Sequence, residues 1–330
     1  MRNPASLPRD VTREPARAHA ATSEFGRELH AGLSRRPRSV SPKYFYDIEG
    51  SALFDRICDL PEYYPTRTEL ALLARCLPDI ARAVGEKAHV VELGSGSGRK
   101  TALLLEALQE PVAYTPIEIS RAALLSSIDH LAPALPAIEM LPVCADFTHP
   151  VEVPEPEEEP RRRLMFFPGS TLGNFEQAEA ITLLRAMHQT MGREGMALIG
   201  IDLHKDTATV EAAYNDAAGI TAAFTLNLLR RLNQQIGSDF DLQAFHHRAR
   251  YSVPNLRIET QLVSDREQDV TVAGQQFHFA PGDAIQVEYS HKYTEASFQQ
   301  LLDAADLQIV GRWDSVAPEP AFGLRLLQRR

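Results

Sequence analysis

VVELGSGSGRKT, residues 90–101, passes from an apolar strand through three glycines into a helix. HVVEL (89–93) supplies the strand, Gly94, Gly96 and Gly98 the turn, and 100–109 the helix. Glycines at such a place let the backbone turn tightly and approach a ligand, with helix-terminal N–H groups aimed at it. The same alternation continues on both sides. A helical segment (Glu69 to Val84) precedes the strand. After the turn come VAYTPI (112–117), a helix over 121–131, IEMLPV (138–143), RLMFF (163–167), a helix over 176–190 and MALIGI (196–201). Strands and helices in this order predict βαβ units and a mostly parallel sheet. VEVPEPEEEPRRR (151–163) has no packing period and reads as a solvated loop between units.

Beyond about 203 the alternation fails. Residues 207–236 read as a long helical region carrying Leu226, Leu228, Leu229 and Leu232. Short antiparallel strands are expected at 256–263, 270–272 and 276–279, with turns at Ser264–Gln268 and Ala273–Gly274. IQVEYS (285–290) is a further strand, followed by a helix over 294–304 and strands at 307–312 and 321–327 that complete the edge of the parallel sheet. Near the N-terminus, packing begins around Tyr44, where Tyr44, Phe45, Tyr46, Ile48, Leu53, Phe54 and Ile57 recur at near-helical spacing. Residues 1–38 are rich in Arg, Pro and Ala, lack the apolar core of a secretory signal, and are expected to form a flexible arm with a short helix at 22–32.

The chain has 330 residues and a formal charge of −10, with 44 Asp and Glu against 34 Lys and Arg. That balance argues against a dedicated nucleic-acid binder or a basic membrane-surface protein. No run approaches the ~18 apolar residues of a spanning helix. Cys58, Cys76 and Cys144 are too few and scattered for a disulfide framework or a thiolate zinc site, so a cytoplasmic protein is expected. His246–His247, read as adjacent helical positions, point apart, and no carboxylate sits at ligand spacing, so no metal centre is expected.

The turn GSGSG, with Glu92 two positions ahead of Gly94, fits an S-adenosylmethionine-binding turn better than a dinucleotide fingerprint. Glu118 closes the next strand, 24 residues after Gly94, where a carboxylate can accept both ribose hydroxyls. Asp146 in CADF (144–147) follows the third strand and can take the adenine amine, with Phe147 beside the ring. A nicotinamide-dependent dehydrogenase would not need the Asp146–Phe147 pair. A non-catalytic amino-acid-binding protein would not need Glu92, Glu118 and Asp146 together.

These segments, with PKYFYDIEGSALFDRICDLPEYYPTRTE (42–69), FPGSTLGNF (167–175), DLHKD (202–206), AAYNDAAGITAAFTLNLL (212–229), FDLQAFHHRARY (240–251) and VEYSHKY (287–293), resemble the S-adenosylmethionine-dependent histidine Nα-methyltransferases, which make trimethylhistidine (hercynine) on the route to ergothioneine. They run in family order from about residue 40 to the C-terminus. The course of the chain predicts one α/β core, 68–203 with 292–330, flanked by a discontinuous second domain, 39–67 with 204–291; the resemblance makes these a Rossmann-like class I methyltransferase core and an α+β substrate-binding domain. It implies a cofactor site of Tyr46, Gly94, Lys100, Glu118, Asp146 and Phe147. It places Tyr63, Asn174 and Tyr214 at the substrate's amino and carboxylate groups, Glu288 and Ser290 at the imidazole, and Tyr46 and Asn174 at the reacting centre.

Tyr64 stands beside Tyr63, and either tyrosine could be the one that serves. Some histidine-specific members carry a methionine in the R-I-E-x segment lining the imidazole pocket, where this chain has Thr260; the same reaction on another small amino acid or amine is the alternative. A small amino acid is the expected partner, without nucleic acid, membrane or obligate protein partner, and a monomer is expected.

In-line methyl transfer to an amine asks chiefly for positioning, so the lack of an obvious catalytic histidine is no obstacle. Glu288 and Ser290, two apart on a strand, share a face. His291 falls on the other face and reads as structural.

Overall fold

Residues 24–96 and 98–330 are described in a computed structural model of the chain. Its central sheet runs in the order β13-β14-β7-β6-β2-β3-β4, with β5 also on β3. The strands are β2 (Ala88–Leu93), β3 (Ala113–Glu118), β4 (Glu139–Met140), β5 (Val143–Cys144), β6 (Arg162–Phe167), β7 (Met196–Asp202), β13 (Leu307–Asp314) and β14 (Phe322–Arg329). β7, β6, β2, β3, β4 and β5 are parallel, while β14 and β13 add an antiparallel edge.

Every residue of β2, β3 and β7 is buried, the pattern of strands covered on both faces. Successive residues divide between the two layers. Val91, Met165, Ala197 and Ile199 pack under α6 (Gln177–Met191) and α9 (Glu295–Ala304). Val90, Leu164 and Leu198 pack under α3 (Tyr64–Val84), α4 (Arg99–Ala107) and α5 (Arg121–Leu131). From β2 the chain winds one way through β3 to β5 and then returns to β6 on the other side. The switch point therefore lies between β2 and β6, and α/β sheets bind ligands in the crevice beyond it.

A second sheet, β1-β12-β9-β8, lies over that end; its strands are β1 (Arg38–Ser39), β8 (Phe245–Ser252), β9 (Arg257–Ser264) and β12 (Ala284–His291). It shares one core with α1 (Glu24–Ser34), α2 (Ile48–Cys58), α8 (Ile220–Ile236) and the hairpin of β10 (Gln268–Val272) and β11 (Gln275–Phe279). The end of β12 is tied to the end of β7: Tyr293 N–H donates to Asp202 O at 2.8 Å and His204 N–H to Tyr293 O at 2.9 Å. That tie sets β12 above the carboxyl ends of the parallel strands.

Five expectations change. The short helix expected at 22–32 is present as α1, but it is not part of a flexible arm: its Leu29 (1% exposed) and Leu33 (0%) are buried in the second core. The remainder of the expected arm, 1–23, lies outside the described residues. The strand foreseen at 138–143 is two two-residue pieces, because Pro142 between them has no N–H for the ladder. The helical region 207–236 is split into α7 (Thr207–Ala212) and α8, since Asp216 accepts from Ile220 N–H and Thr221 N–H at 2.8 Å and starts a new helix. β8 was not foreseen; His246 and His247 lie on it and not on a helix. Strand 257–264 pairs with β8 and β12, leaving β10 to pair with β11 alone.

Candidate active site

A cavity of about 1700 Å³ opens between the two sheets, larger than the ~300–1,000 Å³ of a single drug-sized ligand. At its floor, Gly94 has φ +75° and its N–H donates to Ile117 O at 2.8 Å. A Cβ on Gly94 would meet Phe147 Cε1 at 3.5 Å, so the Phe147 ring faces the side of the turn that the glycine leaves open. Ser95 Oγ in the same turn is buried without a hydrogen-bond partner among the described residues. Glu118 closes β3, its carboxylate accepting from Ser120 N–H at 3.0 Å; burial pushes its pKa up.

Asp146 accepts from Thr148 N–H at 2.9 Å and from Lys43 Nζ at 3.1 Å. Burial raises its pKa, and the hydrogen bonds of Thr148 and Lys43 more than reverse this. Phe147 makes edge contacts with Phe167 and Phe175. Glu92 is buried beneath the turn. Burial pushes it up to about 7 against the hydroxyls of Tyr114 and Thr101, which donate to it, so it braces β2 to α4.

Lys100, in the first turn of α4, pairs with Glu69, which also accepts from Gly169 N–H at 2.8 Å. Gly200 makes room for that carboxylate: a Cβ there would lie 2.0 Å from Glu69 Oε1. Gly200→Ala is therefore expected to displace Glu69 and release Lys100; if Lys100 serves the cofactor as the resemblance implies, S-adenosylhomocysteine binding weakens about 10-fold, since one charge-assisted contact is worth ~1.5–3 kcal/mol. Calorimetric titration checks this, and unchanged affinity contradicts it.

The upper wall gathers the remaining candidates. Tyr46 and Tyr63 both line the cavity, with burial raising their pKa values well above the usual phenol range. Of the two neighbouring tyrosines, Tyr63 faces the cavity. Tyr64 is 1% exposed and turns inward to donate to Asp202 at 2.8 Å. Asn174 ends a 3-10 turn (Thr171–Asn174) and lines the cavity; His291 donates from Nδ1 to Gly173 O at 2.8 Å beside it. Tyr214, just after α7, meets Ser290 Oγ at 2.7 Å. Glu288 lines the cavity on the same strand as Ser290. Burial pushes its carboxyl up to about 7, Lys292 partly offsets this, and no protein group among the described residues hydrogen-bonds to it.

Thr260 departs from expectation. It lies on β9 opposite Glu288 and Ala249, is 1% exposed, and does not line the cavity. Its side chain is buried within the lobe, and its hydroxyl has no hydrogen-bond partner among the described residues. Thr260→Val is expected to raise stability by about 1 kcal/mol, because an unmade buried hydrogen bond disappears. Urea denaturation checks it, and a destabilised variant contradicts the reading.

Sequence reasoning also missed a buried cluster behind the upper wall. Lys292 (1% exposed) donates to Asp202 Oδ2 at 2.8 Å, to Tyr214 Oη at 2.9 Å and to Ser290 Oγ at 2.9 Å. Asp202 also pairs with Lys205, which donates to Tyr64 Oη at 2.8 Å. The signal lay in DLHKD and YSHKY, where a lysine follows a strand-end acid or serine, but a surface lysine reads the same way. His246 is exposed and pairs with Asp265; His247 contacts Thr225 Oγ1 at 3.0 Å and Tyr214 O at 2.9 Å. The two point to opposite faces of β8 and do not converge. Among the described residues no three His, Cys, Asp or Glu stand where they could hold a metal, and no helix is long and apolar enough to cross a membrane.

The profile of a protein family described as histidine-specific, S-adenosylmethionine-dependent methyltransferases matches residues 25–329. The chain is 38% identical over 318 residues to the histidine N-alpha-methyltransferase of Mycolicibacterium smegmatis, covering 94% of this chain and 97% of that protein. It is 36% identical over 306 residues to the histidine N-alpha-methyltransferase of Mycobacterium tuberculosis, covering 91% and 93%. It is also 27% identical over 319 residues to the 4-dimethylallyltryptophan N-methyltransferase of Arthroderma benhamiae, covering 90% and 91%.

Proposed function

This chain belongs to the family of S-adenosylmethionine-dependent, histidine-specific methyltransferases, and we propose that it methylates the α-amino group of L-histidine, in successive in-line transfers, to trimethylhistidine (hercynine). The core is the Rossmann-like class I methyltransferase fold, and S-adenosylmethionine is the cofactor.

The residues around the turn fit that cofactor. The unpartnered Ser95 hydroxyl, the glycine floor and the strand-end carboxylates of Glu118 and Asp146 make a cradle of donors and acceptors. Gly94, Lys100, Glu118, Asp146, Phe147 and Tyr46 would hold it. Bound there, it supplies a methyl group on a sulfonium, ready for displacement by an amine.

The observation that carries the substrate reading is the Glu288 carboxylate, in the cavity wall with no hydrogen-bonding protein partner among the described residues and two residues from Ser290. A ring N–H is what such a carboxylate lacks. Tyr63, Asn174 and Tyr214 then meet the amino and carboxylate groups. Tyr46 and Tyr63 stay protonated, because burial raises their pKa values, so they orient the amine by hydrogen bonds and do not act as phenolate bases. Most of the rate gain is positional.

We assign 39–67 and 204–291 to substrate and 68–203 with 292–330 to cofactor, with the two lobes excluding water from the reacting amine. The unpaired cysteines Cys58, Cys76 and Cys144 accord with a cytoplasmic setting. A second reading, the same reaction on another amino acid, is favoured by the relative named for 4-dimethylallyltryptophan. A screen of free amino acids with cofactor, read by product mass, separates the two. Histidine gaining three methyl groups supports the first reading; methylation of another amino acid with histidine untouched overturns it.

A further inference from the structure

The Lys292 ammonium has three N–H donors, and all three are spent: one on Asp202, one on Tyr214 Oη, one on Ser290 Oγ. The two hydroxyls also face each other at 2.7 Å. Each hydroxyl has one hydrogen and two lone pairs. Lys292 fills one lone pair on each, and their mutual bond uses one hydrogen and one further lone pair. The pair is left with one hydrogen and one lone pair for the cavity, always on different residues. If Tyr214 donates to Ser290, Ser290 has only its hydrogen to offer. If Ser290 donates to Tyr214, Ser290 has only a lone pair to offer.

Charge decides between these arrangements. Behind the hydroxyls, the ammonium groups of Lys292 and Lys205 share the single Asp202 carboxylate, so the cluster is net positive and shielded from water. A protonated ring held by an accepting Ser290 would put another cation one hydroxyl away from Lys292, with only the Glu288 carboxylate, itself pushed up to about 7 by burial, to offset the repulsion. On the same strand face, Glu288 takes one ring N–H. The ring nitrogen left for Ser290 is then a bare acceptor.

Building on the histidine reading, we propose that Lys292 is a positioning residue that makes Ser290 a donor to the substrate ring, so that the site takes a neutral ring with one N–H and one bare nitrogen. Tyr214 then keeps a lone pair for an N–H of the substrate's amino group. Ring recognition and amine orientation are thereby coupled through one hydroxyl pair.

Two analogues read the bare nitrogen directly: the pyrrol-2-yl and pyrrol-3-yl alanines, each of which keeps one ring N–H and replaces the other nitrogen by C–H. The amino and carboxylate contacts are common to all three substrates and cancel in a ratio. In the wild-type enzyme, kcat/KM for histidine should exceed that of the better pyrrole analogue by about 10- to 100-fold, chiefly through KM. Lys292→Met should bring the ratio below about 3 by weakening histidine alone, with S-adenosylhomocysteine affinity unchanged. A merely structural lysine would depress all three substrates together and leave the ratio intact, which overturns the proposal. Should Lys292→Met not fold, Ser290→Ala serves, since it removes the proposed donor and keeps the Lys292–Asp202 pair. The ratio should fall there too, and a wild-type ratio overturns the proposal. Wild-type enzyme that turns over histidine without preferring it to the pyrroles contradicts this inference alone. Wild-type enzyme that ignores histidine overturns the substrate reading and this inference with it.

Discussion

Glu288→Ala is expected to raise the histidine KM about 10- to 100-fold, because a ring N–H in the cavity loses its only acceptor, a loss of ~1–3 kcal/mol. S-adenosylhomocysteine affinity should hardly change, since Glu118 and Asp146 sit on core strand ends away from β12. Discrimination against phenylalanine and tryptophan should relax, because the unpaired-group penalty no longer favours imidazole. The same carboxylate predicts a pH effect. Burial pushes Glu288 up to about 7, so below that pH it carries a proton and no longer accepts the ring N–H. Accordingly, kcat/KM should fall as pH drops through about 7, and Glu288→Gln should lose the Glu288 contribution and keep only the ionisation of free histidine itself. Steady-state kinetics across pH check both, and an unaltered KM in Glu288→Ala contradicts the imidazole assignment.

Asp202→Leu is expected to be strongly destabilising. It removes the one carboxylate between Lys205 and Lys292, whose side chains are 7% and 0% exposed, and leaves two buried ammonium groups uncompensated. Breaking a buried pair in this way costs about 3–5 kcal/mol, which urea denaturation at neutral pH would register. The acid dependence has a definite sign. Burial raises the Asp202 pKa, but Lys292 and Lys205 outweigh it and hold the carboxyl below its ordinary value. A depressed folded-state pKa contributes stability at pH values above the unfolded-state value of about 4, and loses it as pH falls further. Wild-type enzyme should therefore shed stability below about pH 4 through this group, and Asp202→Leu should lack that component. A variant within 1 kcal/mol of wild type would contradict the account of the cluster.

The parallel core was legible because its strands are buried on both faces and carry nearly continuous apolar runs: HVVEL, VAYTPI and MALIGI stand out without knowledge of their neighbours. Glycines and strand-end acids mark the cofactor crevice for the same local reason. The second lobe was harder to see. α1 is held by Leu29 and Leu33 against α8 and the β10–β11 hairpin, contacts some 200 residues away in sequence that an Arg- and Ala-rich segment does not announce. β8 buries Phe245, Ala249 and Tyr251, a period-2 pattern blurred by His247 and Arg248 at half-buried positions. Tyr63 and Tyr64 could not be told apart until the start of α3 fixed one toward the cavity and the other toward Asp202. Thr260, cross-strand from Glu288, is buried off the cavity wall, a depth that RIETQL does not announce. The lysine cluster was invisible because burial, not spacing, makes it matter.

The most direct test is a crystal structure of the enzyme with S-adenosylhomocysteine and L-histidine bound together. The account predicts the cofactor product on the Gly94 turn, with its ribose at Glu118. It predicts the histidine ring between Glu288 and Ser290 and the α-amine toward the sulfur among Tyr46, Tyr63 and Asn174. A histidine ring bound away from Glu288 and Ser290, or a cofactor product lying off the Gly94 turn, would contradict it.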